Sequence, residues 1–134
     1  MSDLKDKIRA EMTADYGTAL ERCFQDAKLL FRLSDQGQVE VLYRDKITVE
    51  EAVMVYLIGK CYSKEAGYSG TEKVSNQELM DELGKPEGSI LPTLMSLRKS
   101  NKVKQDKQSK PTTHQALLNA IEPTLSSIRK KLGV

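Results

Sequence analysis

Residues 74–105 read VSNQELMDELGKPEGSILPTLMSLRKSNKVKQ, and this stretch contains the strongest structural signals in the chain. Ser75 begins a capping box whose glutamate lies three residues later. The apolar residues on either side, Val74 and Leu79, have the spacing of a hydrophobic staple. We predict a short helix that ends at Gly84, since glycine is typical of a left-handed helix end.

A second helix is predicted after this glycine turn. Ser89 is its expected N-cap, which places Pro92 at the third helical position, where no intrahelical hydrogen bond is lost. Three apolar residues recur on one side and are expected to face the core: Ile90, Leu94 and Leu97. A basic strand, KVKQ, and a turn, DKQSKP, follow, and a last helix is predicted over residues 113–132.

The N-terminal part predicts two helices before a β-strand. Leu4, Ile8 and Met12 recur at four-residue steps, and Thr13 is a candidate N-cap for the next helix. Apolar residues at helical spacing, Phe24 among them, predict that this second helix covers residues 16–31, with its apolar side toward the core.

The middle of the chain predicts a strand and then a buried helix. Val39 and Val41 alternate with polar residues after a turn-forming segment, which indicates a strand of a small hairpin. Thr48 opens a capping box with Glu51, and Gly67 is the expected end of the helix. The centre of this helix is apolar nearly all round, so we expect it to be the most buried helix of the fold.

Composition indicates a single charge-rich globular domain without a membrane segment. The chain has 134 residues, of which 30% are charged and 39% hydrophobic. No segment has the apolar run of a signal peptide or the length of a membrane span, so we expect a cytoplasmic location and no membrane partner. Cys23 and Cys61 lie in helical patterns without metal-ligand spacing and are expected to be buried free thiols.

Residues suited to enzymatic chemistry are scarce. The single histidine, His114, lies at the start of the predicted last helix, where a surface or capping role is expected. The sequence has no glycine-rich phosphate loop and no motif of paired metal ligands. We therefore predict a non-enzymatic protein with no catalytic residue, no metal and no cofactor.

The order of elements over residues 48–113 resembles the winged helix-turn-helix superfamily. The resemblance rests on SNQELMDELG for the first motif helix, KPEGS for the turn and ILPTLMSLRK for the second helix. It implies a mainly α fold with a small β-hairpin or wing, in which residues 1–47 supply N-terminal helices and a short strand or hairpin that pack on the core, and residues 114–134 supply a C-terminal helix. A plain helical bundle is the alternative.

The resemblance also implies a nucleic-acid-binding function. In that superfamily the second motif helix commonly enters the major groove of double-stranded DNA, while the wing contacts the backbone. Between Arg98 and Lys110 there are six basic residues against Asp106 alone, a charge of +5 in a chain of +2. Such a cluster suits phosphate contacts, although a solvated lysine-rich loop is the simpler alternative. We predict a DNA-binding protein of the transcription-regulator type, with these candidate DNA-binding residues: Ser89, Thr93, Ser96, Arg98, Lys99, Lys102, Lys104, Lys107 and Lys110.

The second motif helix also has an apolar outer side. Leu91, Pro92 and Met95 lie away from its predicted core stripe, and few residues beside them could read base edges. They could contact thymine methyls, pack against the N-terminal helices or bind another protein. Packing within the chain is the expected role, and a protein-interaction winged helix without specific DNA readout is the alternative function.

The last helix contains a heptad-like seam. Its spacing of three, four, three and four residues is typical of helix pairing. The spacing fits either a homodimer interface or packing on the chain's own domain, and Pro123 is expected to kink the helix or restart it after Glu122. The candidate dimer-interface residues are Leu118, Ile121, Leu125, Ile128 and Leu132.

Overall fold

The computed structural model describes residues 2–12 and 15–134 and is mainly helical, as predicted. Thr13, the candidate N-cap, lies outside the described residues. A short 3-10 turn, Arg44–Lys46, precedes the fourth helix. The helices are α1 (Ser2–Glu11), α2 (Tyr16–Arg22), α3 (Phe24–Ala27), α4 (Val49–Glu65), α5 (Asn76–Leu83), α6 (Glu87–Lys99) and α7 (Leu118–Leu132). The strands are β1 (Phe31–Leu33), β2 (Val39–Val41), β3 (Val74–Ser75), β4 (Val103–Asp106) and β5 (Thr113–Ala116).

The strands form two small antiparallel sheets. In the first, β1 and β2 make the predicted hairpin, with Phe31 opposite Val41. The second has the order β3-β5-β4, so β5 is its central strand and His114 lies opposite both Val74 and Gln105. Both sheets pack against α4.

Helix α4 is the centre of the core, as its apolar sequence predicted. Every residue from 52 to 59 is buried, and the helix contacts both sheets as well as α2, α5, α6 and α7. The predicted capping box is present: the Glu51 backbone N–H donates to the Thr48 hydroxyl at 3.1 Å, and the Thr48 N–H donates to the Glu51 carboxylate at 2.8 Å. These bonds satisfy N–H groups that have no partner inside the helix.

Helix α5 follows the prediction at both ends. The Glu78 N–H donates to the Ser75 hydroxyl at 3.1 Å, and Gly84 ends the helix with a φ of +63°. Val74 and Leu79 are fully buried, as a hydrophobic staple requires. The Glu78 carboxylate accepts a 2.5 Å hydrogen bond from the Tyr56 hydroxyl, so α5 is attached to α4 by a polar contact as well as an apolar one.

Helix α6 begins earlier than predicted. Pro86 is its N-cap, so Ser89 lies inside the first turn and the prediction that Ser89 caps the helix is wrong. Pro92 is then the sixth residue and removes the N–H that would donate to the Gly88 carbonyl, contrary to the expectation that no bond is lost. The predicted inward stripe is confirmed, since all three of its residues are fully buried: Ile90, Leu94 and Leu97.

The last helix starts later than predicted. Residues 113–116 form β5 instead of a first helical turn, because they pair with β3 on one side and β4 on the other. Consequently, the predicted boundary between residues 113 and 114 falls within a strand. Helix α7 then runs without interruption through Pro123, which excludes a restart after Glu122, while the alternative of a kink at this proline stays a prediction.

The predicted single helix over residues 16–31 is divided in the structure. It breaks at Cys23 between α2 and α3, and Phe31 opens β1 through pairing with Val41. Phe24, which was expected to face the core, is 52% exposed. Helices α2 and α3 both pack against α7, and α2 also contacts α4.

Candidate nucleic-acid interface

The predicted basic residues lie on one continuous stretch, from the C-terminal turn of α6 through β4 to the loop that follows. Arg98 is half-buried, whereas all five lysines are exposed: Lys99, Lys102, Lys104, Lys107 and Lys110. Within residues 2–12 and 15–134, none of the six forms a salt bridge. We call these six residues the basic surface.

The single acid within this stretch, Asp106, is engaged elsewhere. Its carboxylate accepts a 3.0 Å bond from Lys73 and further bonds from the backbone N–H groups of Gln108 and Ser109. The bond from Lys73 and those backbone bonds lower the pKa of Asp106. Because Lys73 neutralises this charge, the lysines of the basic surface keep their positive charge uncompensated.

A depression of about 450 Å³ lies beside this ion pair. Lys73, Lys104 and Lys107 line it together with three glutamine side chains and Asp106. Cations and amides are the side chains that commonly contact phosphate and sugar. Sequence inspection missed Lys73, which lies more than 30 residues before Asp106 and belongs to no charge cluster.

The sheet fixes the direction of Lys104, the lysine of β4. Val103 is buried beneath it and Lys104 points outward opposite Gln115. The Lys102 N–H donates to the Leu97 carbonyl, and the Lys102 carbonyl accepts from the Leu117 N–H, both at 2.9 Å. These bonds attach the strand to the end of α6 and to the start of α7, so the basic surface rests on a defined backbone.

His114 is a core residue, which corrects the predicted surface or capping role. It is 1% exposed in β5, and its Nε2 lies 2.6 Å from the Asn76 side-chain oxygen. Its Nδ1 has no hydrogen-bond partner among the described residues. Burial and, to a smaller extent, the charge of Arg98 together lower the pKa of His114 to about 4, so the imidazole is neutral at pH 7. The alternation of His114 with Ala116 was the available sequence signal for a strand.

The outer side of α6 is uncovered. Leu91 is 39% and Met95 50% exposed, and Pro92 is also exposed, so the expectation that they pack within the chain is wrong. The Thr93 hydroxyl donates to the Ser89 carbonyl at 2.8 Å and is therefore used within the helix. Ser96 and Lys99 remain as exposed polar residues on this side.

The heptad seam of α7 serves the core of its own chain. Ile121, Leu125 and Ile128 are buried, and Leu118 and Leu132 are half-buried against the same cluster. Side chains enclosed by α2, α3 and α4 cannot at the same time contact a second copy of the chain. The buried positions of the predicted dimer interface therefore belong to the core of the chain itself. Packing on the chain's own domain, the alternative that the spacing left open, is what the structure shows.

Other functional chemistry is sparse in the described part of the chain. Cys23 and Cys61 are buried free thiols, as predicted, and burial raises the pKa of Cys61 to about 12. Within the described ranges there is no group of three or more side chains suited to a metal ion. The helices of these ranges also include none with the length and apolarity needed to cross a membrane.

Comparison with known proteins found no relative of this chain. No protein-family model, no curated protein and no solved structure matches this chain.

Proposed function

We propose that the chain is a winged helix-turn-helix protein that binds double-stranded DNA. The order α4, β3, α5, α6, β4 and β5 supports this fold, as does a three-stranded sheet in which the hairpin after α6 pairs with the short strand before α5. In this proposal α6 faces the major groove and the β4-β5 hairpin, residues 103–116, is the wing.

The observation that carries the proposal is the uncompensated charge of the basic surface. Its exposed lysines extend from α6 onto the wing, and the one acid among them is neutralised by Lys73. Each lysine that neutralises a phosphate releases counterions, which makes binding favourable and salt-dependent. Lys99, Lys102, Lys104, Lys107 and Lys110 are the proposed phosphate contacts.

Sequence readout is proposed to be weak. Base edges are distinguished mainly by hydrogen-bond donors and acceptors. The hydroxyl of Thr93 is already bonded to the Ser89 carbonyl, and the exposed centre of α6 is occupied by Leu91 and Met95. Ser96 and Arg98 are the remaining candidates for contacts near the bases, so most of the affinity is expected to come from the backbone.

A salt-dependent titration tests the proposal. Fluorescence anisotropy with a mixed-sequence duplex, at several salt concentrations, compares wild type with Lys104→Glu/Lys107→Glu. If both lysines contact phosphates, the slope of log Kobs against log salt becomes less steep by about 2, since each contact contributes about 0.9. Lys5→Glu/Lys46→Glu is the matched control, because it makes the same change of net charge at exposed positions outside the basic surface.

Two results would refute DNA binding by this surface. One is the absence of binding by wild type even at the lowest salt concentration. The other is an equal loss of affinity in the test variant and in the matched control, since that loss would reflect net charge alone.

The exposure of Leu91, Pro92 and Met95 favours a second candidate function, the binding of a protein partner by α6. Solvent-exposed apolar residues that adjoin one another are typical of interaction surfaces. Met95→Glu separates the candidates. If α6 faces DNA, the new carboxylate lies beside the phosphates and weakens DNA binding. If α6 faces a protein, Met95→Glu leaves the affinity for DNA unchanged. Gln25→Glu, on the exposed part of α3, is the control.

A further inference from the structure

A cleft of about 380 Å³, lined by none of the residues of the basic surface, lies between α3, β1 and the C-terminal half of α4. Its walls are mainly apolar and include Phe24, Phe31, Leu33 and Tyr62. The Phe31 and Tyr62 rings are tilted against each other with centroids 5.5 Å apart. The Tyr62 hydroxyl donates to the Leu20 carbonyl at 2.5 Å, so its hydrogen-bonding need is met within the protein. We call this the Phe24 cleft.

Two cations line the Phe24 cleft. The Lys28 Nζ lies 5.8 Å from the centroid of the Phe24 ring. The Arg32 Nη1 donates to the carbonyls of Lys28 and Phe31, which holds the guanidinium in place while its other N–H groups stay available. Neither cation makes a salt bridge within the described ranges.

Among the described residues, no acidic side chain lines the cleft. Glu40 lies opposite Arg32 across the β1-β2 hairpin but forms no salt bridge with it. The acid of α3, Asp26, is bonded to Arg129 of α7 at 2.6 Å and is thereby engaged away from Lys28. The cleft therefore combines an apolar interior with a positively charged edge. A cavity of this size is within the range that binds small molecules, of about 300–1,000 Å³.

We propose that the Phe24 cleft binds a small organic anion with an apolar body, such as an aromatic or short aliphatic carboxylate. The body would lie against the Phe31 and Tyr62 rings and remove the exposed part of Phe24 from water. The anionic group would accept charge-assisted hydrogen bonds from Arg32 and attract Lys28. A neutral ligand of the same shape would gain the apolar contacts and lack the interactions with Arg32 and Lys28.

A pair of dyes that differ in one charged group tests this inference. 1-Anilinonaphthalene-8-sulfonate and N-phenyl-1-naphthylamine share an aromatic body, but only the first has a sulfonate. Fluorescence titration of the wild type is expected to show about tenfold or greater preference for the sulfonate, the size of effect that one charge-assisted hydrogen bond produces. In Lys28→Gln/Arg32→Gln the preference is lost and the affinity for the neutral dye is retained.

Matched variants keep the test specific to the cleft. Lys46→Gln/Lys110→Gln removes the same charge from positions that do not line the cleft, and it retains the preference. Phe24→Ala weakens the binding of both dyes. Thermal unfolding followed by circular dichroism establishes that each variant is folded before titration.

Three outcomes would overturn the inference: equal affinity of wild type for the two dyes, sulfonate binding that the Lys28→Gln/Arg32→Gln variant leaves unchanged, or no binding at millimolar dye. Sedimentation velocity adds a fourth, because a wild-type dimer that the dye dissociates would show that a second copy occupies the cleft. None of these measurements involves DNA, so the two proposals fail or hold separately.

Discussion

Gly59 lies near the centre of α4, where the helix packs closely against Val39 of the β1-β2 hairpin. A Cβ atom at this position would be 2.5 Å from Val39 Cγ1 and 3.2 Å from Val39 Cγ2. Favourable contacts between carbon atoms occur at about 3.5–4.0 Å, so the closer methyl would have to move by about 1 Å. Val39 is buried and its own Cβ would lie 3.4 Å from the new Cβ, so the contact stays tight even if the Val39 side chain rotates. We therefore expect Gly59→Ala to push β2 away from α4.

The size of this effect follows from two opposing contributions. Overpacking of a buried contact costs about 1–3 kcal/mol, and alanine recovers up to about 1 kcal/mol through its higher helix propensity. The expected net loss is about 1–2 kcal/mol of unfolding free energy. Gly88 in α6 provides the matched control, because a Cβ there meets no atom of the described residues within 4 Å. Gly88→Ala is expected to stabilise the protein by about 0.5 kcal/mol.

Urea unfolding followed by far-ultraviolet circular dichroism measures both changes. The double variant Gly59→Ala/Val39→Ala removes the two methyl groups that the new Cβ would meet. It should therefore be more stable than the sum of the single changes predicts, by about 1 kcal/mol or more. Additive single changes, or a Gly59→Ala protein as stable as the wild type, would refute the reasoning.

Three further predictions concern the core. The pKa of His114 is depressed from 6.5 to about 4 in the folded protein, so the unfolded chain binds this proton more readily: the stability is fully present above pH 6.5 and falls toward pH 4. Over that range the unfolding free energy of the wild type should fall by up to about 3 kcal/mol more than that of His114→Gln, as measured by urea unfolding at each pH. Parallel curves of unfolding free energy against pH would contradict this. Leu125→Ala should lower the free energy of unfolding by about 2–5 kcal/mol at every protein concentration, because the residue is buried in its own chain. A loss of stability that grows on dilution would instead indicate a contact between chains. Tyr56→Phe should lower the free energy of unfolding, measured in urea or by heating, by about 1–2 kcal/mol, because the Glu78 carboxylate loses a hydrogen-bond donor. Unchanged stability would argue against that hydrogen bond.

The parts of the fold that sequence predicted well are those fixed by local chemistry. The starts of α4 and α5 depend on Thr48 and Ser75, whose hydroxyls bond to N–H groups three residues away. The end of α5 depends on Gly84, which adopts a backbone conformation that other residues rarely adopt. Such signals lie within one turn of the element they define, so a single sequence contains them.

The parts that failed depend on distant partners. Strand β5 forms because residues 74–75 and 103–106 pair with it, and the alternation within the four residues THQA does not by itself distinguish a strand from a first helical turn. Phe31 has the spacing of a helix but pairs with Val41 after a turn. Apolar periodicity likewise identified the inner side of α6 correctly, yet the exposure of Leu91 and Met95 depends on where α2 packs, which is against α4 and α7.

The two buried cysteines give the protein a native reporter of its own motions. At pH 7 a thiol with a pKa of about 12 is ionised to about one part in 100,000, and only the thiolate reacts with alkylating reagents. Modification of Cys61 therefore requires that α4 first separate from the segments that cover it. Cys23 similarly reports on the junction between α2 and α3. The rates of alkylation of the two sulfur atoms would rank the opening of these regions without any engineered label.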